Sequence, residues 1–283
     1  MDELDLALLE FLEATKIAKG QKRVEPLMHR LELSLRKAFQ EQGARFLRKF
    51  REQLRSRFAE GFEGHAAFLT TPLQEALGPL DWLVIWYEVS QGTVKLFSDP
   101  INQAVEQALQ IGAISAISDI GMKLSFSLDN PRAVAYLQDY GANLVSGIND
   151  TTRDQLQTII TQAADNGWSY DKTAEAITTK FEQFAVGEPQ AHIDSRAHMV
   201  AVTEIGNAYE EGNLEVAQDM RAAGLEMEKY WSTVGDDKVS KTVCAPNEEA
   251  GWIPLNDPFP SGHMRPLGHP ACRCSMKSRR KGS

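Results

Sequence analysis

Four side chains near the end of the chain have the chemistry of metal ligands. They are the three cysteines of the sequence, Cys244, Cys272 and Cys274, and His269, which precedes Cys272 by three residues. Thiolate and imidazole groups are preferred ligands of zinc, and a site closed by four of them is structural. The surrounding segment is rich in Gly and Pro, and a bound metal would stabilise such an irregular fold. These residues therefore predict a structural Zn²⁺ site.

Two other interpretations of these side chains stay open. The usual Cys-x-x-Cys partner of Cys244 is missing, because Asn247 stands at that position and an amide nitrogen is not a zinc ligand. The three cysteines would then be small buried thiols in a loop-rich core. The other alternative is a cysteine hydrolase that pairs Cys244 or Cys272 with His269, although no nucleophile turn or oxyanion helix precedes either cysteine.

The composition is that of a folded protein without a membrane span. The 283 residues carry 30 Lys and Arg against 39 Asp and Glu, a net charge of −9, and 42% of them are apolar. This apolar content excludes a chain that is disordered throughout. The longest apolar run, Trp82 to Tyr87, is far shorter than the roughly 18–20 residues that cross a bilayer. The acidic start at Asp2 and Glu3 is unlike a signal peptide, so we expect a reducing cytoplasm and no disulfide framework.

Helices must supply most of the elements that position the metal-binding residues. Apolar residues recur at helical spacing up to about residue 223, whereas Leu225 to Val234 alternate as in a strand and the remainder is rich in Gly and Pro. We call residues 225–283 the C-terminal cap. The sequence predicts a mainly α fold, a helical bundle with a small β-containing, loop-rich cap (α+β). The predicted helices cover 4–17, 27–58, 102–120, 132–140, 150–166, 170–184 and 193–223, and 27–58 is either one long helix or a pair broken at Gly43.

Glycines and capping residues predict where these helices end. Gly20 ends the first helix, and Gly141 ends the helix that begins at Arg132. Asp150 or Thr151 caps the next helix, which closes at Asn166-Gly167 in a left-handed turn. The segment 61–78 is predicted to be a loop, and Asp129-Asn130-Pro131 is the best candidate for a domain boundary.

A strongly basic helix lies in the first half of the chain. Residues 22–57 contain 11 Lys and Arg against four Glu, so charge is segregated within an acidic chain. This helix presents either an ordinary solvated face or a surface that meets DNA phosphates or an acidic protein. No aromatic residues interleave with the cations on the polar side of this helix, so any DNA contact should be insensitive to base sequence. The candidate contact residues are Arg45, Arg48, Lys49, Arg51 and Arg55.

The sequence contains no convincing catalytic motif. It has no Gly-rich phosphate loop and no His-Glu-x-x-His metal-hydrolase helix. Asp236 and Asp237 are predicted to form a turn rather than a pair of catalytic carboxylates. We therefore expect no enzymatic turnover.

The second half resembles the phage head morphogenesis family, which includes the Mu F-like minor head proteins of tailed bacteriophages. The resemblance covers roughly residues 131–276, and its most distinctive part is the terminal His-Pro-x-Cys-Arg-Cys. Two positions depart from the family pattern: Asn247 replaces a second cysteine, and Val202 replaces a frequent arginine. The ordered motifs are Arg196-Ala197, Val200-Ala201-Val202-Thr203-Glu204-Ile205, Trp231-Ser232-Thr233, Asp236-Asp237-Lys238-Val239, Trp252-Ile253-Pro254-Leu255, Phe259 and Gly268-His269-Pro270-Ala271-Cys272-Arg273-Cys274.

This resemblance implies a minor capsid protein that acts in head assembly near the portal vertex or in the handling of packaged DNA. Its partners would be the portal protein, the major capsid or scaffolding protein, and DNA through its phosphates. It would assemble in the host cytoplasm and reside in the interior of the virion head. Residues 1–130 would be a lineage-specific helical region and residues 131–283 the Mu F-like domain. The alternative is a cysteine-dependent hydrolase or toxin-like effector carried by a phage head protein.

Three charged residues could fasten the cap to the helix before it. Arg196 and Glu204 are eight residues apart, so they share a helix face and each could reach an opposite charge in the cap. Arg273, between two cysteines, is the candidate partner of Glu204. The alternative is a pair of surface charges without a defined partner.

Overall fold

The structure, a computed structural model, describes residues 3–59, 81–120, 126–185, 196–235, 239–270 and 272–282, with the backbone alone described at 3–22, 57–59, 81 and 139–143. The predicted loop at 61–78 and the predicted turn at Asp236 and Asp237 lie outside these residues. The described part is mainly helical with a small sheet near the C-terminus, which confirms the predicted fold class. Its elements are α1 (Glu3–Ala59), α2 (Asp81–Ile120), α3 (Pro131–Asp165), α4 (Tyr170–Ala185), α5 (Arg196–Ala222), β1 (Met227–Ser232), α6 (Cys244–Glu249), β2 (Ile253–Pro254) and β3 (Ser275–Arg280).

Helix α1 is longer than the sequence indicated. The predicted break at Gly20 is wrong, because the helix continues through it to Ala59. A single glycine inside a helix costs only about 1 kcal/mol, which a long helix with a buried apolar face can absorb. Gly43 also stays helical, and a Cβ added there would lie 2.6 Å from Cγ of Phe181. Gly43 therefore permits close packing against α4.

Helix α3 is likewise continuous where the sequence indicated two helices. It runs through Gly141 and Asp150 without a break. Thr151 and Thr152 do not act as caps, because their hydroxyls donate to the carbonyls of Gly147 and Ile148 one turn earlier, each at 2.8 Å. The hydroxyl groups are therefore satisfied inside the helix, and the capping prediction was wrong.

Other boundaries follow the sequence closely. Helix α3 begins at Pro131, and the side chain of Asn130 accepts a hydrogen bond from the N–H of Arg132 at 3.0 Å. The helix closes at Gly167, whose φ of +60° is the left-handed conformation that glycine tolerates best. Helices α4 and α5 begin and end within a few residues of their predicted bounds.

The described chain forms two compact units. Unit 1 comprises Met1–Glu32, Ile101–Asp139 and His198–Ser283, and unit 2 comprises Leu33–Pro100 and Tyr140–Ala197. Each unit draws residues from both sides of position 130, so the predicted division into 1–130 and 131–283 stays a prediction. Unit 2 has an aromatic core in which Phe39 packs against Phe97 at 5.1 Å and Phe184 at 5.4 Å between ring centroids.

In unit 1, α2 and α5 cross with their backbones in contact. A Cβ on Gly112 would lie 2.0 Å from the carbonyl oxygen of Tyr209, and a Cβ on Gly212 would lie 2.1 Å from that of Leu109. Only glycine fits at these two positions, because any side chain would push the helices apart. The crossing leads into an apolar core that includes Ala113 and Leu214.

The C-terminal cap contains a three-stranded antiparallel sheet in the order β2-β1-β3. The register pairs Trp231 with Met276 and Lys229 with Ser278. Residues Met227, Lys229 and Trp231 face the interior, whereas Tyr230 between them is partly exposed. The sheet therefore has one buried face, which packs on the helices and loops of unit 1. No helix in the described residues combines the length and apolarity needed to cross a bilayer.

Candidate metal centre

Three different parts of the cap carry the predicted metal ligands. Cys244 is the first residue of the short helix α6, and its N–H donates to the carbonyl of Ser240 at 3.0 Å. The N–H of Cys272 donates to the carbonyl of His269 at 3.1 Å. Cys274 directly precedes β3. All three cysteines are buried and none forms a disulfide.

The fold brings the three sulfur atoms into one cluster. They all lie within 4.8 Å of one another, so this buried three-cysteine cluster could hold a metal ion. The Sγ atoms of Cys244 and Cys272 are 3.7 Å apart, and Cys244 Sγ is 3.3 Å from Nε2 of His269. Tetrahedral zinc with bonds of about 2.3 Å to sulfur and 2.05 Å to nitrogen requires separations of about 3.8 Å and 3.6 Å. These two distances are close to the required values, whereas the set of ligand atoms that all lie within 4.8 Å of one another comprises the three cysteines without His269.

The imidazole of His269 has the tautomer that metal binding requires. Its Nδ1 lies 2.9 Å from the carbonyl oxygen of Pro270. A carbonyl oxygen only accepts hydrogen bonds, so Nδ1 carries the proton and Nε2 presents its lone pair towards Cys244. A backbone partner that orients the ring in this way is typical of metal-binding histidines.

The aromatic core of the cap closes around the cluster. Trp231 is fully buried against the cysteines and packs edge-on against Phe259, with ring centroids 5.2 Å apart. Gly268 allows this approach, because a Cβ there would lie 2.6 Å from Cγ1 of Val243 and 3.2 Å from the Trp231 ring. The spacing of the cluster thus depends on these packed neighbours as well as on the cysteines themselves.

The three thiols of the cluster differ in pKa. A hydrogen bond from Cys274 and two backbone N–H groups lower the pKa of Cys272 to about 5, against the opposing effect of burial. Burial and the neighbouring Cys272 raise the pKa of Cys244 to about 11. The hydrogen bond to Cys272 and burial also raise the pKa of Cys274. A bound dication would favour the deprotonated form of all three thiols.

Asn247 is part of the cap but has a different role from the cysteines. It is fully buried, its Nδ2 donates to Oγ of Ser261 at 2.7 Å, and its Oδ1 accepts from the N–H of Ser261 at 3.0 Å. The amide thus binds the loop at 259–263 to α6. Asn247 therefore has a structural role in the cap and does not act as a metal ligand.

The comparison with protein families gives one match. Residues 154–277, which include α4, α5 and almost the whole cap, match a family model described as phage Mu protein F like protein. The resemblance to the Mu F-like family is confirmed. The Mu F-like region begins at 154, later than the residue 131 that the sequence motifs indicated. No curated protein and no solved structure gives a significant match. The family supports a role in phage head morphogenesis.

Arg196 in the Mu F-like region is not directed at the cap. Its guanidinium donates to Oγ1 of Thr152 at 2.9 Å and to the carbonyl of Ile148 at 3.0 Å. It also lies 5.2 Å and 4.9 Å from the ring centroids of Phe39 and Phe184. Burial lowers its pKa to about 10, so it remains charged at neutral pH. These partners lie within unit 2, and the predicted role of Arg196 in a clamp stays a prediction.

The other two clamp residues occupy different surroundings. Glu204 is buried on α5, and Arg273 lies between two of the buried cysteines. Their predicted contact stays a prediction.

Arg45 and Lys49, two of the predicted basic contact residues, form ion pairs within unit 2. Arg45 donates to Glu41 at 2.6 Å and to the carbonyl of Gly92 at 3.0 Å, and Lys49 pairs with Glu88. These two cations contribute to packing within that unit. The other three predicted contact residues lie on the exposed part of the helix: Arg48, Arg51 and Arg55.

The sequence analysis missed a buried carboxyl group beside the cap. Glu210 on α5 is 2% exposed, and its Oε2 accepts from the N–H of Met276 at 2.7 Å and from Asn213 at 3.3 Å. Burial raises the pKa of Glu210 to about 8, although both hydrogen bonds oppose the shift. The sequence feature that could have revealed this group is a glutamate on the apolar stripe of α5. Glu210 connects α5 to β3.

This buried carboxyl predicts a measurable pH dependence of stability. Between pH 4.5 and 8 the unfolded state releases the Glu210 proton whereas the folded state keeps it, so the free energy of unfolding falls as pH rises. Glu210→Gln keeps both acceptor bonds and removes this titration. We expect the variant to gain a few kcal/mol relative to the wild type between pH 5 and pH 8, measured by urea unfolding.

Exposed Glu175 on α4 provides the matched control for this comparison. Glu175→Gln should change the free energy of unfolding by less than about 0.5 kcal/mol at either pH. A Glu210→Gln variant whose stability follows that of the wild type at every pH would contradict a neutral Glu210.

Proposed function

We propose that the protein is a minor capsid protein of a tailed bacteriophage, built into the head close to the portal vertex. The observation that carries this proposal is the Mu F-like match over residues 154–277. Assembly takes place in the host cytoplasm, and the mature location is the interior of the virion head. The portal protein and the major capsid or scaffolding protein are the partners.

In this proposal the metal centre has a structural role. Zn²⁺ binds Cys244, Cys272, Cys274 and His269 and cross-links α6, the segment that carries His269 and the start of β3. The close sulfur distances and the orientation of His269 support this role. A closed site of four protein ligands has no open position for a substrate.

We infer that the protein has no catalytic turnover. Cys244, which lies beside His269, is fully buried, and its raised pKa keeps it a thiol at neutral pH. A nucleophilic cysteine requires an accessible thiolate. Cys272 is the more acidic thiol, but it is 3% exposed and its sulfur faces the other cysteines. These features favour a structural role over that of a cysteine hydrolase or toxin-like effector.

The exposed basic part of α1 supplies the contact with packaged DNA or with an acidic capsid surface. Arg48, Arg51 and Arg55 recur at spacings of three and four, so they lie on one side of the helix. The guanidinium of Arg51 is 5.6 Å from the centroid of Tyr170, which restricts its position. Contacts from such a side are to phosphate or carboxylate groups, and they weaken with salt.

The proposal predicts incorporation into proheads. The full chain, produced together with the portal, major capsid and scaffolding proteins of its phage, should cosediment with proheads in a sucrose gradient. Arg48→Gln/Arg51→Gln/Arg55→Gln should reduce DNA or capsid contact, because three charges are removed without disturbing the metal centre. Arg153→Gln on α3 is the charge control. A wild-type protein that stays at the top of a gradient containing assembled proheads would contradict the proposal.

A further inference from the structure

Strand β3 forms the open edge of the sheet in the C-terminal cap. It pairs with β1 alone among the described strands. A groove of about 820 Å³ runs beside it, and helices α1, α2 and α5 supply the opposite walls. The successive residues 272–279 all line this space. Alternate side chains of a strand point to opposite faces, so a run without gaps places the groove along the strand edge. We call this space the β3 groove.

Strand β3 has backbone groups that point away from β1 and could bond to another strand. The N–H of Met276 points away from β1, because it donates to Oε2 of Glu210 at 2.7 Å. The N–H of Lys281 points towards β1, where it donates to the carbonyl of Glu226 at 2.8 Å. By this alternation the N–H and C=O of Ser278 point outwards into the groove. No described residue bonds to them there.

The two sides of the groove differ in chemistry. Lys277 and Arg279 lie on the same face of β3 as Tyr230 and Trp252, and Arg279 lies 4.1 Å from the Trp252 centroid. Met276 lies on the other face and packs in the apolar core, near the point where Ala116 and Ile120 line the groove. An added strand would therefore meet Lys277 and the Arg279–Glu228 ion pair on one face and apolar side chains on the other.

The charge of the C-terminal residues 258–283 determines which charge a partner must carry. Residues 258–283 contain six Lys and Arg and no Asp or Glu, although Arg265, Arg279 and Lys281 form ion pairs with glutamates outside this range. A second copy of β3 would bring like charges together, which disfavours pairing between two copies of the chain. The helix wall carries Glu25 and Asp119, so a polyanion such as duplex DNA would be repelled there. A strand whose acidic residues all lie on one face can keep them beside Lys277 and Arg279, away from Glu25 and Asp119.

We propose that the β3 groove binds an extended acidic segment of a partner protein by strand addition. The segment has acidic and apolar residues in alternation. Its backbone exchanges hydrogen bonds with Ser278, its acidic side chains lie beside Lys277 and Arg279, and its apolar side chains face Ala116 and Ile120. This inference depends on unit 1 alone and not on the proposed role in the phage head.

The test uses a fluorescein-labelled peptide, Val-Glu-Val-Glu-Val-Glu, with the full-length protein and fluorescence anisotropy. The isomer Val-Val-Val-Glu-Glu-Glu has the same composition and charge but no alternation. We expect the alternating peptide to bind at least about tenfold more tightly, because only it places every carboxylate beside the cationic face. Equal binding of the two isomers, or binding of neither, would overturn the proposal.

Two variants locate the contact on β3. Ser278→Pro removes the outward N–H and should weaken the alternating peptide about tenfold, whereas proline at an edge position is compatible with the fold. Lys277→Glu is the second variant and should weaken the same peptide by a similar factor. It should also bind Val-Lys-Val-Lys-Val-Lys more tightly than the wild type does. Thermal melts verify that both variants are folded.

Two further results would overturn the proposal in favour of another occupant. One is a wild-type dimer in sedimentation equilibrium that is lost in Lys277→Glu and is not dissociated by the peptide. That result would assign the edge to a second copy of the chain. The other is duplex DNA that displaces the peptide and binds Ser278→Pro as tightly as the wild type. Monomeric wild-type protein that binds the peptide in the presence of duplex DNA supports the proposal.

Discussion

The purified protein should contain about one equivalent of zinc, and Cys272→Ser should abolish both the metal and much of the stability of the cap. Cys272 lies between the other ligands, with its sulfur 3.7 Å from that of Cys244. Its loss leaves two buried thiols and removes a cross-link between α6 and β3. Because metal binding free energy is folding free energy in such sites, we expect a loss of several kcal/mol. Metal analysis and thermal melts with and without a chelator measure both effects.

Met276→Leu provides the control in the same cap. It conserves volume in the apolar core and supplies no ligand, so it should keep the zinc and cost less than about 1.5 kcal/mol. His269→Ala should weaken zinc binding but retain part of it, because three thiolates remain. If the wild-type protein contains no zinc and its melting temperature does not change with a chelator, the cysteines form a core of buried thiols without a metal.

The second large effect is expected at the crossing of α2 and α5. Gly112→Ala would place a Cβ 2.0 Å from the carbonyl oxygen of Tyr209, and Gly212→Ala would place one 2.1 Å from that of Leu109. These neighbours are helix backbone and cannot rotate away, so the helices must separate. We expect each variant to lose about 3 kcal/mol or more in free energy of unfolding, measured by urea denaturation.

Gly92 lies on the same helix α2 and has no atom within 4 Å of an added Cβ. Gly92→Ala should therefore be neutral or should stabilise the protein by about 0.5–1 kcal/mol, since alanine is the better helix former. The difference between Gly92→Ala and Gly112→Ala isolates the effect of the close contact. Similar stabilities for the two variants would show that the crossing is looser than the structure describes.

The candidate metal ligands could be predicted because their chemistry is carried by residue type. Three thiols and an imidazole within 31 residues of an irregular segment match the ligands that structural zinc prefers, and the fold places the three sulfur atoms together. The role of Asn247 could not be predicted in the same way. Its partner, Ser261, is a residue that any loop can contain, and only the folded cap shows the two hydrogen bonds between them.

The helix breaks show where local signals fail. Gly20, Gly43 and Gly141 are helix-weakening residues, yet α1 and α3 continue through them. The propensity of one residue is worth about 1 kcal/mol, and burial of a long apolar face exceeds that. At Gly167 and Gly224, where φ is +60° and +91°, no such face continues and the local signal prevails.

By itself the sequence determined the helical character of the protein, a basic helix in its first half, its family resemblance and the set of candidate metal ligands. These properties depend on residue types and on periodicities within one element, which a linear chain contains in full. The tertiary structure decided the partners: α3 for Arg196, β3 for Glu210, and α5 for the glycine of α2. Such pairings join residues far apart in the chain. Their energies depend on the distance between the paired groups and on the burial of their side chains, and both are set only when the chain folds.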